Sequence, residues 1–169
     1  IERGGLKFGR WIRQAPYSPH CGVMEKIPQA ARLAQLPAAE QYAAVELFRG
    51  TMVRHSLVAY RDDSPGDLRP ISFAGDAWLG YVPIRMAETI SVQERLPPGA
   101  AAVLINRSHS YTDIYLPIHA QEKKIFDTID GERTIGEIVV EYGQRDSARS
   151  LFERLWRYRG LDNSTRDLT

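Results

Sequence analysis

The chain has 169 residues, 43% of them hydrophobic and 25% charged, with a formal net charge of +1. This is ordinary globular usage, long enough for one domain or two small ones, and the near-neutral charge removes the global basic field that strong non-specific nucleic-acid binding needs. A single cysteine, Cys21, excludes an internal disulfide and fits a reducing cytoplasm, and the longest apolar runs, such as Ala100 to Ile105, are far too short to cross a bilayer.

The opening Ile1-Glu2-Arg3-Gly4-Gly5 has no initiator Met and no secretory pattern, which suggests a piece cut from a longer cytoplasmic protein. Leu6 to Arg13 reads as a short strand with Lys7, Arg10 and Arg13 facing away from Leu6, Phe8 and Ile12. Pro16, Pro19 and Gly22 break it. Two helical stretches follow. Pro28 stands in the first turn of one, and Pro37 opens the other, which runs to Arg49 with Ala43, Ala44, Leu47 and Phe48 as its apolar face and Gly50 as its stop. Ser56 to Tyr60 is a nearly continuous apolar run, the pattern of a buried strand.

Asp62 to Pro70 is polar and turn-rich, and a boundary is expected there, between residues 1–66 and 70–169. Trp78, Leu79, Tyr81 and Val82 must bury somewhere. Ile90 to Gln93 could form a strand, and Pro97-Pro98-Gly99 a turn. Val103 to Asn106 and Tyr111 to Leu116 read as a hairpin around the polar loop 107–110. A helix from about Ala120 to Ile129 presents Ile125, Phe126 and Ile129 on one stripe. Asp130-Gly131 ends it.

Thr134-Ile135-Gly136-Glu137 has the spacing of a capping box, in which hydroxyl and carboxylate each satisfy the other's backbone amide. The helix it starts carries Ile135, Ile138, Val139 and Tyr142 inward and closes at Gly143. A third helix, capped by Asp146 and closed by Gly160, turns Ala148, Leu151, Phe152 and Leu155 inward. The fold class expected is α+β: a strand-helix-helix-strand segment, then a β-hairpin and three helices in a winged-helix-like module.

The candidate chemistry is thin. His20 and Cys21 are adjacent and point apart on an extended chain, and no second Cys-rich cluster completes a zinc site, so no metal is expected. His55 is read as a strand-edge or pocket residue, and His109 and His119 as solvated. Glu122, Lys123 and Lys124 are read as an exposed helix face. No paired-carboxylate, Ser-His-Asp or phosphate-loop arrangement stands out, so no catalytic residue is assigned within the chain. Arg145, Arg149, Arg154, Arg157 and Arg159 gather on and around the third helix, which in a DNA-binding winged helix enters the major groove. Glu153 sits among them and the chain is nearly neutral, so a DNA partner is not favoured. A homodimer through an exposed strand edge stays open.

Two resemblances add to this reading. Val103 to Asn106, Tyr111 to Leu116, the run Ile125-Phe126-Asp127-Thr128-Ile129-Asp130-Gly131-Glu132-Arg133-Thr134-Ile135-Gly136-Glu137-Ile138 and the last helix resemble the PqqD-like family, the precursor-recognition elements of modified peptides, over about residues 90–163. The resemblance implies a peptide bound as an added strand between the last strand and the third helix. Here that would involve Thr112, Ile114, Arg149, Phe152 and Glu153. Gly5 to Trp11, Glu46 to Thr51 and His55 to Arg61 look like the tail of a class I S-adenosylmethionine-dependent methyltransferase. That family's cofactor site is a glycine-rich strand-to-helix turn, and Gly4-Gly5 is not that motif. The resemblance implies a non-catalytic C-terminal accessory or regulatory region that binds a peptide or protein partner or the attached enzyme. The cofactor, S-adenosylmethionine, would belong to the parent enzyme and not to this chain. Alternatively the chain supplies part of the enzyme's substrate pocket through Tyr17, His20, Arg54 and His55, or is a DNA-binding regulator.

Overall fold

A computed structural model of the chain describes residues 4–63, 71–142, 144–158 and 161–165, the last without side chains. It is a mixed α+β protein that divides into two compact units, residues 1–70 and 71–169. The turn-rich stretch from Ser64, the closing Gly143 and Gly160, and Arg159 lie outside the described residues.

In the first unit, β1 (Leu6–Trp11) pairs antiparallel with β2 (Leu57–Arg61). The register shifts between Phe8 and Arg10, and a side chain at Gly9 would run into the Tyr60 ring, so glycine at the bulge makes room for that tyrosine. β2 is half-buried, not the buried strand its apolar run suggests, because a two-stranded ladder has no second layer to enclose it. Between the strands come α1 (Ala30–Ala34) and α2 (Ala38–Arg49). Gly50 at φ 61° ends α2 in the left-handed conformation, its N–H donating to the Glu46 carbonyl at 2.9 Å.

The phase of α2 differs from the sequence reading. Val45 is fully buried, with Gln41 and Tyr42 half-buried along the same side, while Leu47 is 83% and Phe48 53% exposed. Helical periodicity locates an apolar stripe; it does not say whether the same chain covers it.

In the second unit, β4 (Thr89–Val92), β5 (Ala102–Asn106) and β6 (Leu116–Ile118) form an antiparallel sheet in that order. Separately, β3 (Tyr81–Arg85) pairs with β7 (Leu161–Thr165), a strand the sequence reading did not contain. Pro97 to Ala100 is a tight turn with Gly99 at φ 81°. Then α3 (Ala120–Asp127), α4 (Ile135–Tyr142) and α5 (Arg145–Arg157) close over an apolar core. Ile125, Phe126, Ile129, Ile135, Ile138, Leu151, Phe152 and Leu155 are each 4% exposed or less, and Trp78 joins them at 1%.

Thr134 and Glu137 form the capping box at α4: Glu137 N–H donates to Thr134 Oγ1 at 3.2 Å and Thr134 N–H to Glu137 Oε2 at 2.7 Å. The α3–α4 turn is held by Asp130, whose Oδ1 accepts the N–H groups of Glu132 and Arg133, both at 2.9 Å. The Arg133 guanidinium adds a bond to Oδ2. Those backbone bonds, then Arg133, hold the Asp130 carboxyl well below the usual carboxylate range.

Two boundaries need correcting. Gln144, not Asp146, is the N-cap of α5, and Asp146 lies in its first turn. The second hairpin strand is not Tyr111 to Leu116 but only Leu116–Ile118, leaving 107–115 as a loop. Ile114 turns back at 2% exposure, its N–H donating to the Tyr111 carbonyl at 3.3 Å. A side chain that plugs the core from a turn satisfies burial without a strand, and Pro117 removes one donor from any longer ladder.

Candidate functional site

The first unit assembles a cluster from four separate places in the chain. Pro16 pre-sets φ for a short 3-10 turn, Ala15–Tyr17, which carries the Tyr17 ring into burial at 4% exposure. Trp11, at the end of β1, stacks on Tyr17 with ring centroids 4.0 Å apart and planes 3° from parallel. Tyr42 of α2 meets both rings edge-on, at 5.7 Å from Trp11 and 6.4 Å from Tyr17. Burial pushes the Tyr42 phenol up from its ordinary pKa.

Against this stack, the Tyr17 hydroxyl lies 2.7 Å from His55 Nδ1, and His55 Nε2 lies 3.5 Å from Glu46 Oε1. The tautomer that suits both neighbours carries its proton on Nε2: the phenol then donates to Nδ1 and the ring faces the carboxylate. A carboxylate–imidazole–phenol chain of this kind can orient a proton or pass one along. The chain is closed at Tyr17 and open toward its other two members, with 36% of the His55 side chain and 45% of the Glu46 side chain exposed. Beside it the Trp11 Nε1 is shielded from solvent with no hydrogen-bond partner among the described residues.

Of the four pocket residues read from sequence, the structure therefore brings two together, Tyr17 and His55. His20 is half-buried, its backbone N–H donating to Ser18 Oγ at 3.1 Å, and Arg54 is exposed. Cys21 is fully buried. Glu46 was missed. It stands nine residues before His55 on a different element, and no local spacing marks such a pair.

In the second unit the residues implied for peptide binding scatter. Thr112 is exposed and Ile114 buried, both in the 107–115 loop and not on a strand. Phe152 is 1% exposed, a core residue. Arg149 is exposed, and Glu153 accepts from Arg157 Nη2 at 2.6 Å.

The outer side of β6 is closed by the chain itself. Pro117 offers no N–H there, and its carbonyl accepts from Arg154 Nη2 at 2.8 Å. Arg154 Nη1 also donates to Glu122 Oε1 at 2.7 Å. Glu122 is thus not part of an exposed face: its side chain is 7% exposed, and its Oε2 accepts the His119 N–H at 3.0 Å in a capping box whose cap is the His119 ring. Three of the four arginines of α5 are committed within the unit: Arg145 to Asp76, Arg154 to Glu122, Arg157 to Glu153. Trp156 and Tyr158 pack partly buried against the core.

His109 is also not solvated. Both its ring nitrogens are shielded from solvent, and its ring lies 6.1 Å from that of Tyr111. An open concavity of ≈ 320 Å³ lies along this loop, walled by Arg107, His109, Ser110, Tyr111 and Thr112 with Asn106 beside them.

Among the described residues no cluster of three or more His, Cys, Asp or Glu side chains could hold a metal ion, and no helix is long and apolar enough to cross a membrane. Neither a family model nor a curated protein matches the chain.

Proposed function

We propose that the chain works by contact, as a non-catalytic C-terminal accessory region of a class I methyltransferase-like protein in the cytoplasm. The observation that carries this reading is the uncovered face of α2. Leu47 is 83%, Phe48 53% and Val53 98% exposed, a grouping of large apolar side chains on one helix and the segment after it. The occupant this reading assigns to that face is the body of the methyltransferase domain, because α2 lies in the segment whose motifs resemble that family's tail. S-adenosylmethionine would then be held by that body. The second unit, with two small antiparallel sheets and three helices of which α3 and α4 are capped by side chains, serves as a PqqD-like winged-helix module for a peptide or protein partner.

The test is calorimetry on the chain alone and joined to its upstream domain. The chain alone takes up no S-adenosylmethionine, and the joined protein does. Leu47→Arg with Phe48→Arg separates the two parts by weakening their association tenfold or more, since two buried side chains contribute about 1.5–3 kcal/mol each. Uptake of S-adenosylmethionine by the isolated chain sinks the proposal.

A second reading is favoured by one distance, the 2.7 Å between Tyr17 and His55. In it the first unit lends part of the substrate pocket, with His55 positioned by Tyr17 and Glu46. A joined protein that methylates its substrate and loses turnover on His55→Ala, with S-adenosylmethionine affinity unchanged, supports it.

A further inference from the structure

The loop between β5 and β6 holds more polar chemistry than a turn requires. Arg107, His109, Ser110, Tyr111 and Thr112 all wall the ≈ 320 Å³ concavity, and the residues lining it include no carboxylate. The loop is pinned at both ends. The Arg107 backbone N–H donates to the Glu88 carbonyl at 2.9 Å, and Asn106 Oδ1 accepts the Ser108 N–H at 2.8 Å. At the far end Ile114 is sunk in the core at 2% exposure. These contacts fix the backbone at the two ends of the loop, so binding orders chiefly the exposed side chains of Arg107, Ser110 and Thr112. Its size sits at the low end of small-molecule sites.

We infer that this loop is a binding site for a small phosphate monoester, with Arg107 and the Ser110 and Thr112 hydroxyls on the phosphate and the tilted His109 and Tyr111 rings against the organic part. Three features decide the ligand class. A guanidinium is the side chain best shaped for a phosphate. Two neutral hydroxyl donors can serve the remaining oxygens without adding charge. The aromatic pair, with ring planes 49° apart, offers an apolar wall that inorganic phosphate alone would not use. The carboxylates nearest in the chain and across the ladder, Asp113 and Glu88, are not among the residues lining the concavity. The site is independent of the α2 face and of any methyl donor, so it stands or falls separately from the proposed function.

The experiment is a titration of the full chain, following backbone amide shifts, with inorganic phosphate, phenyl phosphate and chloride in separate arms at matched ionic strength. The inference expects saturable shifts confined to residues 105–112, with phenyl phosphate binding several-fold tighter than inorganic phosphate. Arg107→Gln weakens phenyl phosphate about tenfold or more, since a charge-assisted bond is lost. Thr112→Val weakens it a few-fold. Both side chains are exposed, so the variants keep the parent spectrum outside the loop. Equal shifts from chloride, binding of inorganic phosphate but not of the ester, or an Arg107→Gln variant that binds as well as the parent would each overturn the inference.

Discussion

The two units differ in the size and make-up of the apolar core they bury. In residues 71–158, Ile135, Ile138, Leu151 and Leu155 are fully buried and Phe152 and Trp78 are 1% exposed, with Val140 of α4 the large apolar side chain left most open, at 85%. In residues 4–63, Val53, Leu47, Phe48 and Ile12 are 98%, 83%, 53% and 45% exposed, and the interior combines the rings around Tyr17 with the fully buried Cys21, Met24 and Val45. The first arrangement supplies its own hydrophobic driving force, through aliphatic area withdrawn from water. The second has fewer buried aliphatic side chains, adds ring contacts and one hydrogen-bonded His, and leaves Leu47 and Phe48 of α2 exposed.

That contrast can be broken most directly at Phe152. Truncating this 1% exposed side chain to Ala should cost about 3–5 kcal/mol, read from urea unfolding of the second unit. A cost below about 1 kcal/mol would make Phe152 a surface residue available to a partner, as the family resemblance implies.

Next in size is Arg154→Ala. The change strands the Glu122 carboxylate, whose side chain is 7% exposed, and the Pro117 carbonyl. The expected loss is about 1.5–3 kcal/mol, and Arg154→Lys should recover only part of it because a single ammonium nitrogen cannot reproduce the planar spread of Nη1 and Nη2 over the two acceptors. The same variant uncovers the β6 carbonyl. If an extended peptide then binds the chain and did not before, Arg154 is what keeps that edge shut.

The helices of the second unit were legible because each carries a local apolar stripe, and α4 a capping box as well. The Thr134–Glu137 box, the stripe Ile135, Ile138, Val139, Tyr142 and the stripe Ala148, Leu151, Phe152, Leu155 are local patterns, and local patterns survive in a single sequence. What failed to show depends on distance along the chain. Arg154 reaches Pro117 and Glu122 across more than thirty residues, and β7 meets β3 across about eighty. No spacing encodes such a meeting. The loop 107–115 misled for another reason: Tyr111, Ile114 and Leu116 suit a strand, yet Ile114 reaches the core from a turn. In the first unit, Tyr17 and His55 were named as candidates, but Glu46 was invisible because its role depends on where α2 lies.

A smaller effect tests the ring cluster. Tyr17→Phe keeps the stack on Trp11 and removes the hydroxyl 2.7 Å from His55. The first unit should lose about 0.5–1.5 kcal/mol, and a double-mutant cycle with His55→Ala should recover that coupling. Additive losses would mean the bond contributes nothing in solution.

Acid provides a further probe of the second unit. The Asp130 carboxyl is held low by the Glu132 and Arg133 N–H groups and the Arg133 guanidinium, so its bonds stabilise the fold above the unfolded-chain pKa of about 3.9. The contribution fades as pH falls through the lower folded value. Asp130→Asn should therefore flatten the acid limb of the stability curve below about pH 4 and leave the neutral-to-alkaline part parallel to the parent's.

The smallest expected effect is the sharpest on the α2 face. Leu47→Ser alters an 83% exposed side chain, so the isolated chain should change stability by no more than about 0.5 kcal/mol. Val45→Ala, on the opposite side of the same helix and fully buried, should cost several times as much. If the two costs are equal, Leu47 is covered by the chain itself and nothing is left for a methyltransferase body to seat on. If Leu47→Ser is silent in the chain but weakens the joined protein, the face belongs to the joint, because a side chain free of contacts in one state can lose stability only in the state where something covers it.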